Sequence, residues 1–261
     1  MLYGLYLSAA GLQAQERRQD MIANNMANAL TNGFKRDLAI VQSRNNAAHE
    51  DPAMIPYKIP VLDDQGGGVF LQGGGVDLTQ GSLKTTNNLN DLALDGRGFF
   101  ALKGDNDQTV LTRDGSFTVN DQGTLVHAAS GRAVLGEDGQ PITLDPTLDM
   151  IKVDKRGQLT QYGGAGGGGD ATTQLKLLDV KDPRQLVKMG RNLLTVNDPS
   201  VLTPMKETTQ VLQGNLEMSG VDPIVEMVNM MSGQRIFDAN AKMISLQDTT
   251  LQSTNGIGRI A

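Results

Sequence analysis

Asp222-Pro223-Ile224-Val225-Glu226-Met227-Val228-Asn229-Met230-Met231 opens the C-terminal segment with a polar cap, then proline at the first helical position. From there Met227, Met230, Gln234, Phe237, Ala241, Ile244, Asp248 and Leu251 recur at steps of three and four. This is the spacing of a narrow coiled-coil stripe, and it predicts a helix running to about Ser253. The N-terminus carries a second such seam: Leu2, Leu5, Ala9, Leu12, Gln19, Ile22, Met26 and Ala29, interrupted by a polar gap at Gln15 and Glu16. That helix should stop at Asn32-Gly33, because glycine tolerates the left-handed conformation that closes a helix. Seams at both termini, where a chain has least else to pack on, point to a protein that joins other copies of itself. Gln19, Gln234 and Asp248 are read as register-setting polar members. The methionines of the last segment (Met218, Met227, Met230, Met231 and Met243) are read as seam lining rather than as a plastic binding groove.

Between the two helices the pattern changes twice. Residues 35–68 hold Pro52, Pro56 and Pro60 and end in Gly66-Gly67-Gly68, which forbids a helix and favours an extended arm. From Val69 to about Val211 come short runs such as Gly98-Phe99-Phe100-Ala101-Leu102, Ser116-Phe117-Thr118-Val119 and Gln174-Leu175-Lys176-Leu177-Leu178. They are separated by turn signals: Asp114-Gly115, Asp121-Gln122-Gly123, Asp138-Gly139 and Asp154-Lys155-Arg156-Gly157. Short strands with regular turns predict an antiparallel sheet or barrel. The expected fold is therefore α+β: an N-terminal assembly helix (1–34), an extended arm (35–68), a central antiparallel β domain (69–211) and a C-terminal assembly helix (212–261). The two helices are expected to form a coiled-coil-like assembly domain.

Composition excludes several functions. The net charge of −6, with no basic cluster, repels a phosphate backbone and argues against nucleic acid. The absence of cysteine removes disulfides, thiolate zinc sites and cysteine nucleophiles. The 31 glycines among 261 residues, and no tryptophan, favour turn-rich β structure. No basic residue precedes Arg17, so a cleaved signal peptide is not expected. No run reaches the ~18 apolar residues of a membrane span.

Local features that resemble chemistry are read as structure. Gly163 to Gly169 lacks the Lys-Ser/Thr pair of a phosphate loop and is taken as a hairpin tip. His49 and His127 lie apart and form no metal-ligand pair, so they are expected to be solvated or locally bonded. Asp105-Asn106-Asp107 lacks the sixth-position glycine and twelfth-position glutamate of a calcium loop. The acidic pairs Asp63-Asp64 and Glu137-Asp138 lie in turn-like stretches without a desolvated pocket. No catalytic residue, metal site or cofactor is expected. A secreted carbohydrate-binding or adhesive module would share the β middle but would not need seamed helices at both ends. A cell-wall hydrolase would need a carboxylate pair or metal cluster in a cleft.

Three blocks carry a family resemblance. Ala23-Asn24-Asn25-Met26-Ala27-Asn28 with Thr31-Asn32-Gly33-Phe34-Lys35 resembles the N-terminal signature of the flagellar hook and basal-body rod proteins, with Leu30 where a small or polar residue is usual. Leu92-Ala93-Leu94-Asp95-Gly96-Arg97-Gly98-Phe99-Phe100 with Thr112-Arg113-Asp114-Gly115-Ser116-Phe117 is similar to the family's central block. Leu216-Glu217, Ser219-Gly220-Val221-Asp222, Glu226-Met227-Val228 and Gln234-Arg235 resemble its C-terminal block. There Gly220 replaces an asparagine, and Ile236-Phe237 replaces Ala-Tyr.

The resemblance implies an axial structural protein, not an enzyme. Its terminal helices would polymerise with copies of itself and with other rod and hook proteins into the drive shaft of the basal body. The chain would leave the cell uncleaved through the flagellar export apparatus. Length argues against the larger hook protein, and Gly131-Arg132-Ala133-Val134-Leu135-Gly136 with Gly139-Gln140-Pro141-Ile142 reads as closer to the proximal than the distal rod form. The expected assembly interface comprises Leu5, Leu12, Ile22, Asn24, Asn25, Met26, Asn28, Gly33, Phe34, Met227, Met230, Gln234, Arg235, Phe237, Ile244 and Leu251. Asn24, Asn25 and Asn28 lie within two helical turns, where their amides could bond across neighbouring subunits or merely weaken and end the helix.

Overall fold

A computed structural model describes residues 2–43, 68–105, 108–145, 150–162, 171–205 and 208–257. Residues 44–67 of the arm with its three prolines, His49 and Asp63-Asp64, together with Asn106-Asp107 and the Gly163 to Gly169 run, lie outside the described residues. The described chain is α+β, and it divides into two compact units.

The β unit comprises residues 28–36 and 76–222. Its largest sheet has six antiparallel strands. β5 (Phe99–Lys103) and β6 (Thr109–Thr112) form the centre, with Phe100 opposite Thr112 and Ala101 opposite Leu111. β14 (Leu193–Val196) and then β13 (Leu186–Gly190) extend it on one side. β12 (Leu177–Val180) and then β15 (Leu202–Pro204) extend it on the other. Successive side chains of a strand point to opposite faces, and both faces here are covered. Phe100, Leu102 and Val110 enter one apolar cluster together with Phe117, Leu125, Val134 and Leu159. Phe99 and Leu111 enter a second, with Val180, Leu186, Leu194 and Val201. This explains why Gly98-Phe99-Phe100-Ala101-Leu102 is apolar without alternation. The Phe117 ring meets Phe100 edge-on at 5.1 Å between centroids.

The helical unit comprises residues 1–27, 37–75 and 223–261. Helix α1 (Leu2–Ala27) packs on helix α2 (Pro223–Ile257). A two-stranded ribbon, β1 (Asp37–Ser43) with β2 (Val69–Val76), accompanies them. Helix α2 starts at the proline that the sequence marks. Helix α1 ends at Ala27, short of the expected Asn32-Gly33, and residues 28–33 are turns. β1 falls within the segment read as an extended arm.

The two seamed helices lie against each other within the chain. A Cβ added at Gly4 would lie 2.9 Å from Gln247 Nε2, and one at Gly11 would lie 3.4 Å from Asn240 Nδ2. One at Gly233 would lie 2.5 Å from Gln15 Nε2. The pair is therefore antiparallel, and bare glycine backbone receives the amide side chains of the opposing helix.

Replacing fully buried Phe100 with alanine leaves a cavity between covered sheet faces, with an expected cost of about 3–5 kcal/mol. Exposed Val119→Ala should stay within about 0.5 kcal/mol of the parent. Urea unfolding of the two variants checks this contrast.

Candidate functional site

The segment Thr31–Lys35 is held by the β unit at every residue from Asn32 onward. Asn192 Nδ2 donates to Asn32 O at 2.6 Å, and Gly33 N donates to Glu217 O at 2.7 Å. Gly33 adopts φ of +65°, with the backbone of Arg113 and Asp114 where a Cβ would sit, so both conformation and space require glycine. The Lys188 ammonium lies 4.0 Å from the centroid of the buried Phe34 ring, while donating to Lys35 O at 2.6 Å. Lys35 Nζ donates to Glu217 Oε1 at 2.7 Å and to Thr79 O at 2.8 Å.

Glu217 sits in β17 (Asn215–Glu217), which pairs with β3 (Leu83–Thr85). Its other carboxylate oxygen accepts from Arg113 Nε at 2.5 Å, and Gly81 N donates to Oε1 at 2.9 Å. The Arg113 guanidinium also donates to the carbonyls of Leu94, Gly96 and Gly98. The three sequence blocks thus converge on one carboxylate: Lys35 from the first, Arg113 and its carbonyl cradle from the second, Glu217 from the third. All three side chains are at most 3 % exposed. Burial pushes the Lys35 ammonium below the usual lysine range, with Glu217 pulling it back up and Arg113 lowering it further. Because its folded pKa lies below the unfolded 10.5, the stability contribution of Lys35 itself rises as pH climbs between the two values.

The amides of the N-terminal signature are placed separately. Asn25 is buried and pairs twice with one residue: its Nδ2 donates to Asp37 O at 3.0 Å, and its Oδ1 accepts from Asp37 N at 2.9 Å. Asn28 Oδ1 accepts from Thr31 Oγ1 at 3.3 Å in the turn after α1. Asn24 is exposed. His127 is locally bonded, with Nε2 3.1 Å from Asp114 Oδ2 and Nδ1 2.8 Å from Ser130 Oγ. Among the described residues no three metal-binding side chains gather.

The seams are offset from those read in the sequence. On α1 the inward positions include Leu5, Leu12, Gln15, Gln19, Ile22 and Met26, so the polar gap at Gln15 is instead a continuation of the seam, while Ala9 faces out. On α2, Met230, Phe237, Ile244 and Leu251 are partly covered. The positions between them are Glu226, Gly233, Asn240 and Gln247, whereas Met227, Gln234, Arg235, Ala241 and Asp248 are exposed. The signal missed was that glycine and amides occupy contact positions. Large apolar side chains lie on the opposite face of α2: Ile224, Val225, Met227, Val228 and Met231 near its start, Met243 and Leu246 further on. Ile224 is 74 % exposed. The outer face of α2 is thus apolar over its first turns, while its inner face is half polar. No described helix is long and apolar enough to cross a membrane.

Glu217→Gln removes the negative charge facing Lys35 and Arg113 and leaves buried cations uncompensated. The expected loss is about 3–5 kcal/mol in denaturant unfolding. Gly33→Ala should also destabilise, through both backbone strain and the Arg113–Asp114 contact.

Comparison with known proteins agrees with this convergence. Residues 5–35 match the family model described as flagella basal body rod protein, 93–161 the flagellar hook protein FlgE/F/G D1 domain, and 212–257 the flagellar basal body rod FlgEFG protein C-terminal. The chain is 32 % identical to the flagellar basal-body rod protein FlgF of Caulobacter vibrioides, over 98 % of this chain and 97 % of that one. It is 31 % identical to the flagellar basal-body rod protein FlgG of Buchnera aphidicola subsp. Baizongia pistaciae, over 97 % and 98 %. It is 30 % identical to the flagellar hook-basal body complex protein FlhO of Bacillus subtilis over the whole of both chains. Three buried charges drawn from three matched blocks, and relatives aligned end to end, make this chain a member of the flagellar hook and basal-body rod family, a structural subunit of the rod and not an enzyme.

Proposed function

We propose that this subunit polymerises through its terminal helices into the axial shaft, α2 presenting its outward apolar face to neighbouring copies in a coiled-coil-like arrangement. The observation that carries this reading is the group Ile224, Val225, Met227, Val228 and Met231, five exposed large apolar side chains within the first turns of one helix. Scattered apolar residues are normal on a surface, whereas a contiguous patch marks an interaction site. In this reading Asn24, Met227, Gln234 and Arg235 meet neighbours. Leu5, Leu12, Ile22, Met26, Met230, Phe237, Ile244 and Leu251 hold the helix pair that presents them. Asn25, Asn28, Gly33 and Phe34 fix the exit of α1. The neighbours are further copies and the other rod and hook proteins. The chain reaches the basal body through the flagellar export apparatus, uncleaved.

The test is a double variant, Val228→Asp with Met231→Asp. Both side chains are about half exposed in the single chain, so the thermal transition should stay near the parent's. Two buried aspartates in an intersubunit contact would each cost several kcal/mol, and the variant should fail to form filaments in sedimentation or electron microscopy. Filaments of normal length would refute the reading.

A further inference from the structure

One buried titratable group has no part in the fold's charge cluster. His127, at the end of β8 (Leu125–His127), is fully buried and hydrogen-bonded at both ring nitrogens. Nε2 faces Asp114 Oδ2 at 3.1 Å, and Nδ1 faces Ser130 Oγ at 2.8 Å. Asp114 is itself held: its Oδ1 accepts from Ser116 N at 3.0 Å and Ser116 Oγ at 2.8 Å. An anionic Asp114 selects the tautomer with the proton on Nε2, which leaves Nδ1 as acceptor for the Ser130 hydroxyl. Hydroxyl, imidazole and carboxylate are therefore joined in series, the connectivity that activates a serine nucleophile. Ser130 is partly exposed and lines an open pocket of about 420 Å³ together with Asp105, Arg132, Met189, Arg191 and Leu193. Arg132 is neutralised by Asp105 at 2.6 Å, so among the described residues exposed Arg191 gives the pocket lining a net positive charge.

We infer that Ser130 is a nucleophilic modification site that accepts an acyl group from a small activated ester carrying one anionic group. The Oγ–H proton passes to His127 Nδ1 as the Oγ–carbonyl bond forms. The bond to the leaving oxygen then breaks and the activated leaving group departs as its anion, the proton staying on His127 between Asp114 and Ser130. The acyl group stays on Ser130, because the fully buried imidazole has no second face from which to activate water. The chain is thus modified once and does not turn over, which is compatible with a structural protein and independent of the assembly reading.

The test mixes full-length protein with mono-4-nitrophenyl succinate, which is anionic, or with 4-nitrophenyl acetate, and follows nitrophenol release and the mass of the Ser130 peptide. A single-equivalent burst is expected, with the acyl group on Ser130 and a rate roughly tenfold greater for the anionic ester. Arg191→Gln should remove that preference. Ser130→Ala, which removes the partner of buried His127 Nδ1, should abolish the burst, and His127→Gln should slow it, both variants checked for native circular dichroism. Absence of a burst in the parent protein, acylation confined to lysines, or an equal burst in Ser130→Ala would each overturn the assignment.

Discussion

The carboxylate of Glu217 is the constraint on which the β unit's termini depend. It lies just before the chain enters α2, and Lys35, its partner, lies just after the turns that follow α1. Arg113 ties the same carboxylate to the carbonyls of Leu94 in β4 (Leu92–Asp95) and of Gly96 and Gly98 in the loop to β5. A buried ion cluster is weak evidence for net stability, since desolvation offsets much of the attraction. What it contributes is geometry, because one carboxylate holds Lys35 and Arg113 from two distant segments together. The Gly33–Glu217 backbone bond and the Lys188–Phe34 contact then admit the signature segment in one conformation.

The helical unit works by a different rule. An amphipathic helix of a self-sufficient domain puts its apolar stripe inward. Here the α1–α2 seam mixes glycines and amides with Met230, Phe237, Ile244 and Leu251, while Ile224, Val225, Met227, Val228 and Met231 of α2 lie outside. Gln15 Nε2 and Gln247 Oε1 are buried without a hydrogen-bond partner, which costs the pair stability. Such a pair is consistent with the proposed contact of its outer face with neighbouring copies.

Much of this was legible in the sequence, and what was not has identifiable physical causes. Asp222-Pro223 located the start of α2, and the apolar runs with their Asp-Gly turns marked an antiparallel β region. The family blocks named Lys35, Arg113 and Glu217 without showing that they meet, because contacts between residues so distant in sequence leave no periodic signal. The end of α1 was set too late because Gly33 was taken as a helix cap, whereas its positive φ serves a turn packed on Arg113 and Asp114. The contacts of Gly233, Asn240 and Gln247 with α1 were not read because a hydrophobic template scores those residues as non-contacts. β1 was missed because Leu38 and Ile40 alternate over too short a run to stand out from the segment that follows.

The most direct measurement of the central claim is a double-mutant cycle between Lys35→Met and Glu217→Leu, read by chemical denaturation. The account requires strong coupling, on the order of 2–3 kcal/mol, with the double variant more stable than Glu217→Leu alone, because removing Lys35 relieves one of the cations that single variant strands. Additive losses within about 0.5 kcal/mol would contradict it and would mean that Lys35 and Glu217 stabilise the fold independently.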